Sequence, residues 1–294
     1  MFFILEYNGG YCVEGGIMIE KLKQFILDAG RYSVEKRGAA AHSLSFKVGS
    51  DATRGIVTEV DTAISQKFKR FVEEHFGDLN YMIIDEESIA DLSGDVFDSV
   101  AKTEYQFVID PIDGTVNYAA DLPMYGITVA VMKHGRPWLG FLYAPVTGEL
   151  VYTDGEQVFF EYNGKTEVVP KNRESFSRVV MAHAWRVCLK PNHFNGRLIV
   201  QDYFSAVIYC LYLAIGRVKG AFMQANLWDI AGGMAICKVL GMGFYDYDTK
   251  QEMDCFSSAF FADKCQVKSI KIVCHEQDFD TLKNLVSDVI GKDE

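Results

Sequence analysis

Apolar residues recur at helical spacing early in the chain, with Leu22, Phe25, Ile26 and Ala29 on one face of residues 19–37 and lysines and a glutamate between them. Residues 61–76 repeat the pattern with Ala63, Ile64, Phe68, Phe71 and Val72, which predicts a second amphipathic helix. The period then changes. Residues 81–84 form a short apolar run that stops at Asp85-Glu86-Glu87, and residues 105–109 form another that stops at Asp110-Pro111. Both read as buried strands. Runs over 125–133, 138–143, 150–153, 157–162 and 165–169 follow, separated by turn residues, and Asn163-Gly164 marks a hairpin. This meander predicts a sizeable antiparallel sheet. Beyond about residue 175 shorter strands alternate with helices expected at 204–216, 229–240 and 279–290. The first two stop at Gly216 and Gly241; the last has Asp278 as its N-cap and Gly291 beyond its end.

These elements predict an α+β chain without internal repeats, low-complexity tracts or linkers. Residues 1–17 are expected to be a loose extension ahead of Met18, and 18–294 a single domain. Its N-terminal half, about 18–170, holds the large sheet, and its C-terminal half, about 171–294, is α/β.

Composition narrows the function classes. With 49% hydrophobic and 23% charged residues the 294-residue chain is ordinary globular material, long enough to close a core. Its formal net charge of −11 repels nucleic-acid phosphates, and basic stretches such as 67–70 are short. The seven cysteines show no CxxC pair and no zinc-like spacing, which fits a reducing cytoplasm. The longest apolar run, 206–215, is about half of a membrane span, and the opening MFFIL is too short for a signal peptide. A soluble cytoplasmic protein is the expectation.

The densest chemistry lies in Asp110-Pro111-Ile112-Asp113-Gly114-Thr115, where an apolar strand delivers two carboxylates and proline stiffens the bend between them. Carboxylates, a hydroxyl and carbonyls are what a hard cation such as Mg²⁺ takes as ligands, and the N–H groups of Gly114 and Thr115 suit a phosphate. A solvated Asx-turn explains the same residues without a ligand. Asp85-Glu86-Glu87 reads either as a charged loop or as acids relieved by a cation. Asp229, in Trp228-Asp229-Ile230-Ala231-Gly232-Gly233, is explained by an N-cap alone, and Thr58 and Asp61 by capping of the helix that follows them.

Taken in order, VTEVD, IIDEES, DPIDGT and WDIAGG closely resemble the inositol monophosphatase family of metal-dependent, lithium-sensitive phosphatases, from about Ile19 to the C-terminus. The resemblance implies a layered α-β-α-β-α sandwich, a homodimer and two or three Mg²⁺ ions per site. It assigns Glu86, Asp110, Asp113, Asp229 and the carbonyl of Ile112 as metal ligands. Thr115 and Asp61 correspond to the residues that orient the attacking water and take its proton. Gly114, Thr115, Ser205, Ala206 and Asp229 correspond to substrate contacts. The implied reaction is hydrolysis of a small phosphorylated polyol, inositol-1-phosphate-like, by two-metal activation of water, with ions about 3.5–4 Å apart bracketing an in-line displacement. An acidic chain handling an anionic ester draws its positive charge from such ions.

Three departures stand out. Asp85 replaces a glycine that the family has before the glutamate pair, and either adds charge beside Glu86 or faces solvent. The loop after Thr115 reads Asn117-Tyr118-Ala119-Ala120-Asp121. No acid stands in 220–227, where relatives carry a glutamate that reads polyol hydroxyls, so Gln224 or Asn226 takes its place or the alcohol differs. Substrates of sister enzymes therefore stay open: 3′-phosphonucleotides, fructose bisphosphate and histidinol phosphate. His183 either reaches the pocket or is structural. A haloacid-dehalogenase phosphatase would need DxDGT, whereas two residues separate Asp110 from Asp113. A different class, a partner-binding regulatory protein, is the remaining alternative.

Overall fold

In the computed structural model the described residues are 11–40, 45–46, 56–57, 59–87, 89, 95–171, 175, 178–182, 187–189, 199–262 and 265–289. Thr58, Ser88, His183, Ile290 and Gly291, which the sequence reading singled out, lie outside them. The first helix, α1 (Tyr11–Ala40), begins ahead of Met18, so residues 11–17, expected in a loose extension, are helical. A short antiparallel ladder of β1 (Ser45–Phe46) and β2 (Ile56–Val57) separates it from α2 (Glu59–Phe76).

The meander forms where the apolar runs and turn residues place it. Strands β3 (Tyr81–Asp85), β4 (Tyr105–Asp113), β5 (Gly126–Lys133), β6 (Arg136–Ala144), β7 (Glu149–Thr153), β8 (Val158–Tyr162) and β9 (Lys165–Val169) pair in that order in a seven-stranded sheet. The expected antiparallel pairing holds from β4 onward, but β3 lies parallel to β4. The chain makes that parallel return by crossing through α3 (Val96–Lys102), because a parallel pair cannot be joined by a tight turn. A short helix, α4 (Thr115–Ala119), follows β4.

Successive side chains of each strand point to opposite faces. Phe107 and Ile109 of β4 pack with Leu22, Ile26, Ile64 and Phe68 of α1 and α2, while Val108 packs into a second cluster. That second cluster is built on α5 (Ala206–Ala214) and α6 (Leu227–Leu240), both buried nearly all round. Helix α6 comes close to the sheet because glycines meet there: a Cβ on Gly140 of β6 would collide with the Gly232 carbonyl.

Beyond these helices lies a second sheet of β10 (Val179–Ala182), β12 (Ile199–Gln201), β13 (Gly220–Met223), β14 (Gly243–Asp246) and β15 (Lys271–Cys274), in the order β12-β10-β13-β15-β14. Met181, Ala221 and Val273 face α5 and α6; Val180, Phe222 and Ile272 face outward, onto α7 (Phe279–Lys283). The layers are therefore α1/α2, sheet, α5/α6, sheet, α7, the expected α-β-α-β-α sandwich. The closing helix is shorter than its periodicity suggested. Residues 286–289 instead form β16 (Val286–Val289), paired with β11 (Val187–Leu189), a tertiary pairing that suits β-branched valines better than a helix does. Asp278 makes no capping bond; it pairs with Lys219 at 2.8 Å. Among the described residues no helix is long and apolar enough to cross a membrane.

Candidate metal and catalytic site

Two carboxylates three positions apart fall on opposite faces of a regular strand. Asp110 and Asp113 escape this because the β4–β5 register shifts between them, from Asp110↔Thr128 to Asp113↔Gly126. The irregularity absorbs Pro111, which has no N–H to give a ladder, and re-aims Asp113 to the face that Asp110 already occupies. Both then look toward the starts of α5 and α6. Asp229, in the first turn of α6, meets them there. One carboxylate oxygen from each of Asp110, Asp113 and Asp229 lies within 4.8 Å of the others.

Glu86 arrives by register. The parallel pairing runs to Asp85 opposite Ile109, so the chain leaves β3 at Glu86 near the point where β4 reaches Asp110, although Glu86 is not one of the three acids whose oxygens converge within 4.8 Å. Its charge bears on both Asp110 and Asp229. Burial, then repulsion from Glu86, Asp113 and Asp229, raises the Asp110 carboxyl well above the ordinary value. Burial, then Asp113 and Glu86, does the same to Asp229, against the opposing N–H of Asn226. Such a group of oxygens is costly to ionise without a counter-charge, and hard anionic oxygens are the donor set that Mg²⁺ prefers. The residues present fit that ion.

Each acid is held by its own partner. Asp110 accepts the Ile112 N–H at 2.9 Å. Asp113 accepts the Ser205 hydroxyl at 2.5 Å and the Val207 N–H at 2.7 Å, so it ties β4 to the start of α5. Asp229 is not the N-cap that its sequence suggested. Asn226 holds that position, and Asp229, one turn in, reaches back to the Asn226 N–H at 2.6 Å.

The turn after Asp113 depends on Gly114, which sits at φ 90°. A side chain there would be strained and would stand 3.2 Å from both the Met124 and Phe204 carbonyls. Thr115 follows, and its hydroxyl donates to the Ile112 carbonyl at 2.9 Å. Asp61 is buried in the first turn of α2, within electrostatic reach of Tyr118.

Ser205 and Ala206 were expected against the substrate. Both are buried, and the Ser205 hydroxyl is engaged with Asp113 and with the Ile208 N–H at 3.2 Å. The structure places them at the start of α5, beside Asp113. Gln224 donates one amide N–H to the Val267 carbonyl at 3.1 Å. Asp85 neither faces solvent nor joins the cluster. It is 1% exposed and turns to the other face of the sheet, onto Ser65 and Lys69 of α2.

Sequence reasoning missed two supporting residues. The Asn117 amide donates at 2.6 Å to both the Met124 and Tyr203 carbonyls, clamping the loops on either side of Gly114. Thr128 lies directly across from Asp110, and its buried hydroxyl finds no hydrogen-bond partner among the described residues. Only a long-range register could have exposed either.

Known proteins carry the same frame. A fructose-1,6-bisphosphatase/inositol-1-monophosphatase of Thermotoga maritima is 30% identical over 218 residues, 70% of this chain and 77% of that protein. A Nus factor SuhB of Pasteurella multocida is 28% identical over 204 residues, 65% of this chain and 71% of that protein. Among solved structures, an IMPase of Thermotoga maritima superposes with a TM-score of 0.69 at 23% identity, over 91% of this chain and 96% of that one. The model of the inositol monophosphatase family matches residues 20–282, nearly the whole length, and this chain belongs to that family of phosphoric monoester hydrolases.

Proposed function

We propose that this chain is a Mg²⁺-dependent phosphomonoesterase that hydrolyses a small phosphorylated polyol, inositol-1-phosphate-like, by direct attack of water. The observation that carries the reading is the convergence of Asp110, Asp113 and Asp229 within 4.8 Å, with the charge of Glu86 beside them. These four residues and the Ile112 carbonyl would hold the ions, two or three in number. Bound there, Mg²⁺ would supply positive charge that offsets the phosphate and lowers the pKa of water beside it. The remaining chemistry belongs to the chain. The Thr115 hydroxyl donates its hydrogen bond to the Ile112 carbonyl, which leaves its lone pairs to accept from the attacking water. Asp61 takes the proton that this water loses. The N–H groups of Gly114 and Thr115 hold phosphate oxygens as charge builds on them, and Asp229 meets the hydroxyl beside the ester. Ser205 serves by holding Asp113, and Ala206 leaves room beside it.

The alcohol is the open part of this reading. Gln224, which donates one amide N–H to Val267, and Asn226, which caps α6, are both polar candidates on that wall, and sugar bisphosphates, 3′-phosphonucleotides and histidinol phosphate stay in the comparison set. We also infer a cytoplasmic homodimer, from the family resemblance and from the free cysteines at 210, 237, 255, 265 and 274. Phosphate release from a panel of these esters, with and without Mg²⁺, tests the function. Metal-dependent turnover supports it and the preferred ester names the alcohol; no turnover on any ester by folded, metal-loaded protein removes it.

A second reading rests on the likeness to the Nus factor SuhB, a partner-binding regulatory role. Asp113→Asn separates the two: a regulatory role survives the substitution in cells, whereas a catalytic one is lost.

A further inference from the structure

The end of β3 places neighbouring acids on opposite faces of the sheet. Ile83 packs toward α1 and α2, and Ile84 toward α5 and α6. Period two then sends Asp85 to the α2 side and Glu86 to the side of Asp110 and Asp229. On α2, Asp61, Ser65 and Lys69 are spaced four apart, one above another on a single helix face. The Asp85 carboxylate meets that face: it accepts the Ser65 hydroxyl at 2.5 Å and the Lys69 ammonium at 3.1 Å, and its other oxygen takes the Glu87 N–H at 3.2 Å.

From this geometry we infer that Asp85 is a positioning residue for the proposed reaction. It fixes the height of α2, and hence of Asp61, against the strand end that carries Glu86. The inference rests on the proposed function and adds to it a residue that the reaction itself does not use. Asp85 is the residue before Glu86, and Ser65 stands one helical turn after Asp61. The brace is therefore one step removed from the water-activating acid at one end and from a metal ligand at the other. Adhesion alone is a poor account of it. A buried ion pair seldom stabilises more than apolar residues of the same volume, whereas directional bonds fix one register between helix and strand. Lys69 is 40% exposed along its side chain and Asp85 is fully enclosed, so the lysine neutralises the acid from the rim without joining the cluster behind it.

The test uses full-length protein with Asp85→Ala, Asp85→Asn, Lys69→Ala and Asp61→Asn, alone and combined. Folding is checked by melting and circular dichroism, metal binding by calorimetry with Mn²⁺, and turnover on the best ester. Asp85→Ala is expected to lower kcat and weaken Mn²⁺ binding by roughly 10-fold or more each, as loss of supporting contacts does at metal sites. Asp85→Asn, which still accepts from Ser65, recovers part of both losses, and Lys69→Ala, at the exposed end, gives a smaller version of the same defect. In the Asp61→Asn background, at saturating Mn²⁺, the kcat effect of Asp85→Ala shrinks, because one of the two groups being positioned has already been disabled. An undiminished kcat effect in that background, or unchanged kcat and Mn²⁺ affinity in folded Asp85→Ala, overturns the inference. If wild-type protein binds Mn²⁺ but hydrolyses no ester, the proposed function fails, and the affinity comparison still decides whether Asp85 positions Glu86.

Discussion

Strand ends and helix starts reach the same site by different means. On the sheet side, Glu86 and Asp110 are brought together by the parallel register of β3 and β4, and Asp113 joins them through a register shift. On the helix side, Ser205 and Asp229 are first of all capping residues, accepting the Ile208 and Asn226 N–H groups. Of the strand carboxylates, Asp110 accepts the Ile112 N–H of its own turn, whereas Asp113 also ties β4 to the start of α5. The helices supply groups that finish a helix and face the cluster at once. Losing Asp110 should therefore cost chemistry and little fold, while losing a helix-start residue should cost some of each.

The sharpest way to break this contrast is Asp110→Asn. It is nearly isosteric and its oxygen can still accept the Ile112 N–H, so melting should change little, while Mg²⁺-dependent phosphate release should fall by roughly 10³-fold. Near-wild-type turnover in this variant would detach the strand end from the chemistry. Next in size is the response to metal. Burial and neighbouring acids hold Asp110 and Asp229 above the ordinary 3.8. As pH climbs past that value the folded chain keeps protons that the unfolded chain has released, so metal-free stability declines as pH rises through the raised pKa range. Mg²⁺ at a hundred times its Kd should return about 2.7 kcal/mol at neutral pH and flatten that decline, read by thermal melts with and without chelator. A metal-free stability that rises over this range would contradict the reading of the cluster.

Smaller effects sharpen the contrast. Gly114→Ala places a Cβ in the left-handed region and against two carbonyls, which should cost about 1–2 kcal/mol in a denaturant midpoint and lower turnover with it. Ser205→Ala removes a helix cap and the hydroxyl on Asp113. It should cost about 1 kcal/mol of stability. Turnover should fall about 10-fold, measured on the same sample. If Ser205→Ala lost stability alone, the helix start would be a cap and nothing more.

Much of this was legible from the chain. Apolar runs separated by turn residues over 125–169 marked the meander, and the abrupt ends at Asp110 and Glu86 marked where carboxylates leave the sheet. The direction of Asp85 is also legible, since Ile83 and Ile84 alternate between the two faces of the sheet ahead of it. What stayed hidden depends on contacts remote in sequence. The shift that turns Asp113 needs Gly126 opposite it, and the partners of Asp113 lie on α5, more than ninety residues on. The run at 279–290 carries a helical period, yet its last part is taken by β11, an outcome that no local pattern contains. The cap at α6 was misplaced because Asn226 and Asp229 are both good N-terminal residues, and only the helix start at Leu227 separates their roles.

The most direct test of the central claim, that a carboxylate supplied by a helix start completes a metal-dependent phosphatase centre, is Asp229→Asn assayed for Mg²⁺-dependent phosphate release beside its melting curve. Asparagine can still accept the Asn226 N–H, so the account predicts a nearly unchanged melt with turnover reduced by roughly 10²-fold or more. Full turnover with an unchanged melt would show that Asp229 is a helix residue only and that the centre lies elsewhere.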